Sequence, residues 1–424
     1  MPKKKEQKDD QPKSSAKKKS KEIEQSESEI DLANIQSLMA LFMPKSTIIK
    51  TLGIDLSIGK VKLCLLSLEK ETKFIGGGWS SLKVNFEHTF EKNYEYNQGL
   101  SIAIEAFLKH HNTESTEIQS VVFCSGGAYY MSNSFAEGMR HSAGIIKMLF
   151  PRQKVYFIRC DGELIPINDI FELEDSEASA FGCTNFLGTS IIAAKNFDEG
   201  LAIDMGTIST SIIPITNGKI DPVAAYNPKG YMQHRYATGK HLWYGAMHTS
   251  LIHITNQAKT KKAKYNLILR SCNTNTLCTI LNIIEANVAN VHVNDSDKIT
   301  QLDLAYMDLA ETIGLDKNSI SESELDEIAK DIYYQMVEKL AENIRSIIAN
   351  MNYKNFDDLK VLVGGLGQEA FIIPALSFSG FSQEQIIRVI EDEQSNLWTA
   401  TSVYGLAILA LEKIIGEKID VSIG

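Results

Sequence analysis

The chain has 424 residues, a net charge of −10, and six cysteines without a CxxC pair. That length exceeds one compact core, so two domains are expected, and the acidic balance argues against a broad nucleic-acid surface on the folded body. Cysteines scattered in apolar stretches read as small buried thiols rather than a zinc site.

Residues 1–30 crowd lysines, from Lys3 to Lys21, into a stretch without aromatics. Such a segment buries too little apolar surface to offset its ordering entropy, and reads as a disordered tail. It is a solubilising extension, or a contact for RNA, DNA or an anionic membrane. Over 31–46, Leu32, Ile35, Leu38, Met39 and Phe42 fall at helical spacing until Pro44, which predicts an amphipathic helix and linker. No signal peptide opens the chain, and no apolar run reaches the roughly 18 residues that span a bilayer, so a cytoplasmic protein is expected.

Three strands are predicted over 48–55, 61–68 and 74–84, then a helix carrying Leu100, Ile104 and Phe107. A strand ending in Ser125-Gly126-Gly127, a helix near 134–150, and a strand over 155–158 follow. The order β-β-β-α-β-α-β is that of a ribonuclease-H-like domain, here 47–199. Residues 178–195 are rich in Gly, Ala and Ser and predict a closely packed helix. A second lobe, 200–424, opens with another strand–turn–strand, and Asn217-Gly218 predicts a type I′ hairpin turn. Residues 226–293 lack a clear period and read as an insertion. A helical face follows over about 303–350, through Ile328, Ile332, Met336, Leu340, Ile344 and Ile347. A strand then enters the glycine turn Gly364-Gly365-Leu366-Gly367, and a helix over 397–415 closes the chain.

The pair of hairpins is the most informative pattern. Asp55 and Asp204, 149 positions apart, each end a buried strand before a turn of small residues. An acidic residue there caps a turn, or both organise a divalent cation such as Mg²⁺ through water. Gly206, Thr207, Ser209 and Thr210 place small hydrogen-bonding groups at the second turn. Glycines 365 and 367 allow close backbone approach, and backbone N–H groups at such a turn can hold phosphate oxygens. Arg235 can grip a phosphate or carboxylate. Trp243 and Tyr244 offer an aromatic wall, and the loop around them reads equally as a structural insertion. His241 and His248 have no evident third metal ligand. The absence of a G-x-S-x-G pattern disfavours a serine hydrolase.

The two Asp hairpins and the later glycine turn resemble the actin, sugar-kinase and Hsp70 superfamily. That implies an α/β protein of two ribonuclease-H-like lobes with a cleft between them. More closely, the chain resembles the hydantoinase-A-like family associated with tetrahydromethanopterin-linked one-carbon metabolism, which includes the methanofuran-pathway furan-methanamine synthase. The matching pieces are Gly53-Ile54-Asp55 through Lys62, the strand from Ile203 to Pro214, Asp161-Gly162-Glu163 and Asn185-Phe186. They continue with Arg235, Gly239, Trp243, Gly245 and Thr249 in one loop, and Gly365-Leu366-Gly367. Departures from the family pattern are Ser57 and Ile58 for a double glycine, Lys60 for asparagine, Ser211 for aspartate, Lys240 for glutamate and His248 for arginine. Lost carboxylates weaken metal binding, and a lost arginine weakens anion binding.

The resemblance implies a transferase that joins an aminomethylfuran-methyl diphosphate to the phenol of glutamyl-tyramine and releases diphosphate. Asp55, Lys62, Asp204 and Arg235 would be catalytic, with Asp204 and Asp55 holding the cation. Gly206, Thr207, Ser209, Thr210, Gly365, Leu366 and Gly367 would bind phosphate. Gly239, Trp243, Tyr244, Gly245, His248 and Thr249 would form the substrate loop. The partner is then a phosphorylated small molecule. The alternatives are an ATP-dependent kinase or hydantoinase-like enzyme of the same fold, and a non-catalytic scaffold.

Overall fold

The structure is a computed structural model that describes residues 48–57, 60–69, 74–83, 93–126, 134–221, 230–268, 272–284, 300–351, 353, 355–389, 400–421 and 423. The expected lysine tail and the 31–46 helix lie outside the described residues, as does Ile58. The chain divides into two compact units, Met1–Ile48 with Glu69–Phe74, and Ile49–Leu68 with Ile75–Gly424. Apart from Ile48, Glu69 and Phe74, all described residues belong to the second.

Two six-stranded sheets carry that unit. The first contains β1 (Ile48–Ser57), β2 (Lys60–Glu69), β3 (Phe74–Lys83), β4 (Ile118–Cys124), β5 (Lys154–Ile158) and β6 (Leu164–Pro166), in the order β3-β2-β1-β4-β5-β6. The second contains β7 (Glu199–Met205), β8 (Thr210–Thr216), β9 (Lys219–Ile220) and β10 (His241–Leu242). A separate ribbon pairs β11 (Gln257–Lys259) with β12 (Lys264–Asn266), and β13 (Lys360–Gly364) and β14 (Ile386–Arg388) complete the second sheet. Its order is β10-β8-β7-β13-β14, with β9 against β8. Both sheets therefore place an Asp-bearing strand between its hairpin partner and a parallel strand. Asp55 on β1 stands opposite Cys124 on β4, and Asp204 on β7 opposite Gly364 on β13. Asn217 and Gly218 both take positive φ, as the predicted hairpin turn requires.

The described α-helices of more than four residues are α1 (Asn93–His110), α2 (Phe135–Leu149), α3 (Phe186–Asn196), α4 (Tyr231–Ala237), α5 (Thr274–Leu281), α6 (Gln301–Thr312), α7 (Glu322–Ala349), α8 (Ile373–Phe378) and α9 (Thr401–Ile415). Helix α3 follows the first sheet in the chain but packs on β7, β8 and β13 of the second, while α9 packs on β4 of the first. The two helices also cross one another. Being covered on several sides, α3 buries Phe186, Leu187, Gly188, Thr189, Ser190, Ile192 and Ala193 and has no polar face to spare. Close approach at the crossing depends on two glycines. A Cβ on Gly188 would overlap the Ser402 carbonyl, and one on Gly405 would overlap the Gly188 carbonyl.

The stretch expected to be helical over about 303–350 forms two helices. Gly314 takes φ +75, which ends α6 in a left-handed turn, and the Ser321 hydroxyl caps α7 by accepting the Glu324 N–H. The predicted α7 face is buried throughout. Part of the region read as an insertion is β10, which extends the second sheet through His241 opposite Ser211. Among the described residues, no helix is long and apolar enough to cross a membrane.

Candidate functional site

Three charged side chains converge where the hairpins of the two sheets come together. Asp55 is completely buried, because β1 is covered on both faces, with Leu52, Ile54 and Leu56 in the core. Lys62 projects from β2 and places Nζ 3.3 Å from Asp55 Oδ2. Ser402 Oγ donates to the same oxygen at 3.3 Å, and Cys124 Sγ donates to Oδ1 at 3.5 Å. Asp204 is 5% exposed, and the Thr189 hydroxyl donates to its Oδ2 at 2.6 Å. Thr189 adjoins Gly188, and Ser402 is the residue Gly188 touches, so the helix crossing supplies one hydrogen bond to each carboxylate.

The electrostatics follow from burial. Desolvation alone would lower the Lys62 pKa, but Asp55 and then Asp204 outweigh it and hold the ammonium above its ordinary range. Burial raises the Asp204 pKa, Lys62 and Thr189 pull it back in part, and Asp55 adds to the rise. Burial and the Asp55 charge also push the Cys124 thiol well up, which keeps it a neutral donor.

A stability prediction follows for Asp204. Its folded pKa is raised, so the folded state binds more protons than the unfolded state above the unfolded value of about 4. Stability therefore falls as pH rises from there through the raised value. Asp204→Asn keeps an acceptor for Thr189 and removes the charge, so the variant is expected to be more stable than wild type at pH 7. That advantage should vanish below about pH 4. Urea denaturation across pH 4–7 checks it, and a variant less stable at every pH would contradict it.

Gly365 lies beside Asp204 with φ +85. A Cβ there would come 2.5 Å from the Met205 carbonyl oxygen and 2.7 Å from Asp204 Oδ1, so only glycine fits. The Gly367 N–H donates to the Met205 carbonyl at 3.0 Å, and Leu366 is buried in the second core. The turn thus clasps the end of β7, and of its expected phosphate contacts the Gly367 N–H is already used. It leads into a π-helical turn, Gln368–Ile372, where Gln368 is buried with Oε1 unpartnered.

The second hairpin turn is braced from behind by the predicted substrate loop. Ala246 N donates to the Gly206 carbonyl, and Met247 N and His248 N donate to the Thr207 carbonyl. A Cβ on Gly245 would overlap the Ile208 backbone. Thr249 Oγ1 accepts the Gly245 N–H at 2.6 Å, and the Asn343 amide donates to the Gly239 carbonyl at 2.7 Å. Thr210 is buried, and its hydroxyl donates to the Tyr244 carbonyl at 2.5 Å, so it anchors the loop. Thr207 and Ser209 remain half-buried at the turn, and Trp243 and His248 are exposed.

Arg235 belongs to a different constellation. It is 2% exposed, its guanidinium lies 3.6 Å from the centre of the Phe186 ring, and Nη2 donates to the Lys240 carbonyl at 3.1 Å. Burial lowers its pKa to about 10. The titratable groups around it are Tyr231, Cys183 and Cys160, and Cys183 also interacts with Asp55, so the two clusters adjoin through that thiol. Reading the sequence missed Thr189, Ser402 and Cys124 as partners of the aspartates. Thr189 alone carried a signal, as a hydroxyl within an otherwise small and apolar helix.

Among the described residues, no group of three or more His, Cys, Asp or Glu could hold a metal ion. Both Asp55 oxygens are engaged by Cys124, Ser402 and Lys62, and Asp55 does not fit as a direct ligand. Asp204 does fit a cation that keeps its water, because its one hydrogen bond among the described residues is to Oδ2.

The mixed α/β architecture of two six-stranded sheets has a counterpart among solved structures. Nucleotide-free acetone carboxylase, from work on ATP-dependent acetone carboxylation, superposes with a TM-score of 0.54 at 9% identity, over 85% of this chain and 70% of that one. An inorganic polyphosphate/ATP-glucomannokinase from Arthrobacter sp. strain KM aligns over 86% of this chain and 99% of its own at 10% identity, with a TM-score of 0.37. In sequence, the chain is similar to the (4-{4-[2-(gamma-L-glutamylamino)ethyl]phenoxymethyl}furan-2-yl)methanamine synthase of Methanococcus vannielii. The two are 24% identical over 242 residues, which is 54% of this chain and 97% of the synthase. No protein-family model matches the chain.

Proposed function

We propose that the chain is an ether-forming transferase of methanofuran and tetrahydromethanopterin one-carbon cofactor metabolism. In the proposed reaction, the phenol oxygen of glutamyl-tyramine, or a related acceptor, attacks the methylene carbon of an aminomethylfuran-methyl diphosphate. The carbon–oxygen bond to diphosphate breaks, and the phenol proton is released. The similarity to the Methanococcus vannielii synthase supports this choice of substrates.

The observation that carries the reading is that Lys62 pairs with Asp55 and also interacts with Asp204, the carboxylate that the Gly365 turn lies against. A buried ammonium held in its charged form stabilises negative charge growing on a leaving group. Thr207 and Ser209 offer hydroxyls at the neighbouring turn. With both carboxylates ionised, the trio carries one net negative charge, which disfavours an incoming diphosphate. A divalent cation at Asp204 would offset that charge and the charge on the departing diphosphate.

The test is incubation of the purified chain with the two substrates and Mg²⁺, with the ether product and diphosphate measured by mass spectrometry and phosphate release. Both products should form together. A chain that forms neither, yet is stabilised by Mg-ATP and not by diphosphate, would replace this reading with a kinase-like one.

A further inference from the structure

Arg235 is a buried cation with no ion pair to a carboxylate among the described residues. Among the described residues its Nη1 has no hydrogen-bond partner, and Arg235 lines a small pocket with Phe186, Pro214, Asp221, His234 and Lys240. The one carboxylate in that lining, Asp221, is engaged in an ion pair with Lys240. Next to Arg235, His241 is equally buried, and neither of its ring nitrogens has a hydrogen-bond partner among the described residues. Burial, reinforced by the arginine charge, lowers its pKa to about 3 and keeps it neutral. It therefore cannot compete with Arg235 for an anion as a second cation, nor neutralise it.

Buried guanidinium groups are ordinarily paired, because desolvating the charge is costly. The Phe186 ring offsets part of that cost through a cation–π contact, but it leaves the Nη1 hydrogens unmet. A water molecule would satisfy a hydrogen and leave the charge uncompensated. An oxyanion does both. The space is partly open and about 10 Å³, room for one water-sized group. That suits one oxygen of a planar carboxylate, with the rest of its molecule reaching outward, better than a tetrahedral phosphate.

We infer that the pocket at Arg235 is a carboxylate subsite, separate from the phosphate site at Lys62, which seats the carboxylate of a small-molecule substrate. Arg235 Nη1 donates to the carboxylate, Nη2 stays on the Lys240 carbonyl, and Phe186 holds the guanidinium plane. The inference rests on the transferase reading at one point only, that the carboxylate belongs to the acceptor.

Calorimetric titration with L-glutamate, acetate, inorganic phosphate and diphosphate tests it. Glutamate and acetate should bind wild type saturably, and inorganic phosphate more weakly. Arg235→Met should weaken glutamate binding by about 10–100-fold, with Arg235→Lys in between. Asp221→Asn frees Lys240, leaves the arginine intact and should tighten glutamate binding several-fold, which keeps the test decisive where Arg235→Met does not fold. Lys62→Met should leave glutamate binding unchanged, whereas Arg235→Met should leave diphosphate binding unchanged. This pairing separates failure of the subsite from failure of the transferase reading. Absence of carboxylate binding to wild type, tighter binding of phosphate than of carboxylate, or no tightening in Asp221→Asn would each overturn the subsite.

Discussion

Lys62→Met is expected to destabilise the folded chain by about 3–5 kcal/mol at pH 7, the usual cost of removing one partner from a buried ion pair. The substitution nearly preserves volume and leaves Asp55 completely buried without its ammonium partner, although the Cys124 thiol and Ser402 hydroxyl still donate to it. Asp204, already raised in pKa by burial, loses the charge that pulls it down. Asp204 then gains further from being protonated, so the deficit should shrink as pH falls toward about 4. Adding Asp55→Asn removes the stranded charge and should restore much of the loss. Urea denaturation of the single and double variants at pH 7 and pH 5 measures this. A single variant within about 1 kcal/mol of wild type at pH 7 would mean that Lys62 is not the counter-ion of the site.

The second large effect is expected at the crossing of α3 and α9. Gly188→Ala places a methyl group where the Ser402 carbonyl stands, and the helices must separate to admit it. The helices lie between the two sheets and cannot yield without disturbing both cores, so a loss of at least about 3 kcal/mol is expected. The site should suffer too. Thr189 and Ser402 sit at the crossing, and any separation draws their hydroxyls from Asp204 and Asp55. Gly144→Ala is the control. It replaces a glycine in α2 with nothing within 4 Å of the added methyl, and should gain about 0.5–1 kcal/mol from helix propensity. Equal behaviour of the two alanine variants in thermal and urea denaturation would contradict the close crossing.

Much of the scaffold was legible because it rests on short-range pattern. Two apolar runs ending in Asp55 and Asp204, the Asn217-Gly218 turn, the glycine turn after 360–363 and the apolar face of α7 all follow from neighbours a few positions apart. The departures are equally physical. The periodic face lies wholly within α7 and carried no mark of the break at 313–321, where Gly314 follows α6 and Ser321 caps α7. β10 has two residues, too few to show a period. Thr210 looked like a phosphate ligand, yet its hydrogen bond to Tyr244 arises from a loop more than 30 positions away. Arg235 was chosen for its chemistry, but only the fold shows it stacked on Phe186 and facing a different pocket from Lys62. Thr189, Ser402 and Cys124 meet the aspartates across separations that no local pattern records.

The central claim is that Lys62, which pairs with Asp55 and interacts with Asp204, receives a diphosphate. Its most direct test is calorimetric titration of diphosphate into wild type and Lys62→Met, with and without Mg²⁺. Wild type should bind, and bind more tightly with Mg²⁺. Lys62→Met should bind about 10–100-fold more weakly in both conditions, as loss of a charged hydrogen-bond donor requires. Folded wild-type protein that binds no diphosphate in either condition, or equal affinity in the two proteins, would contradict the account.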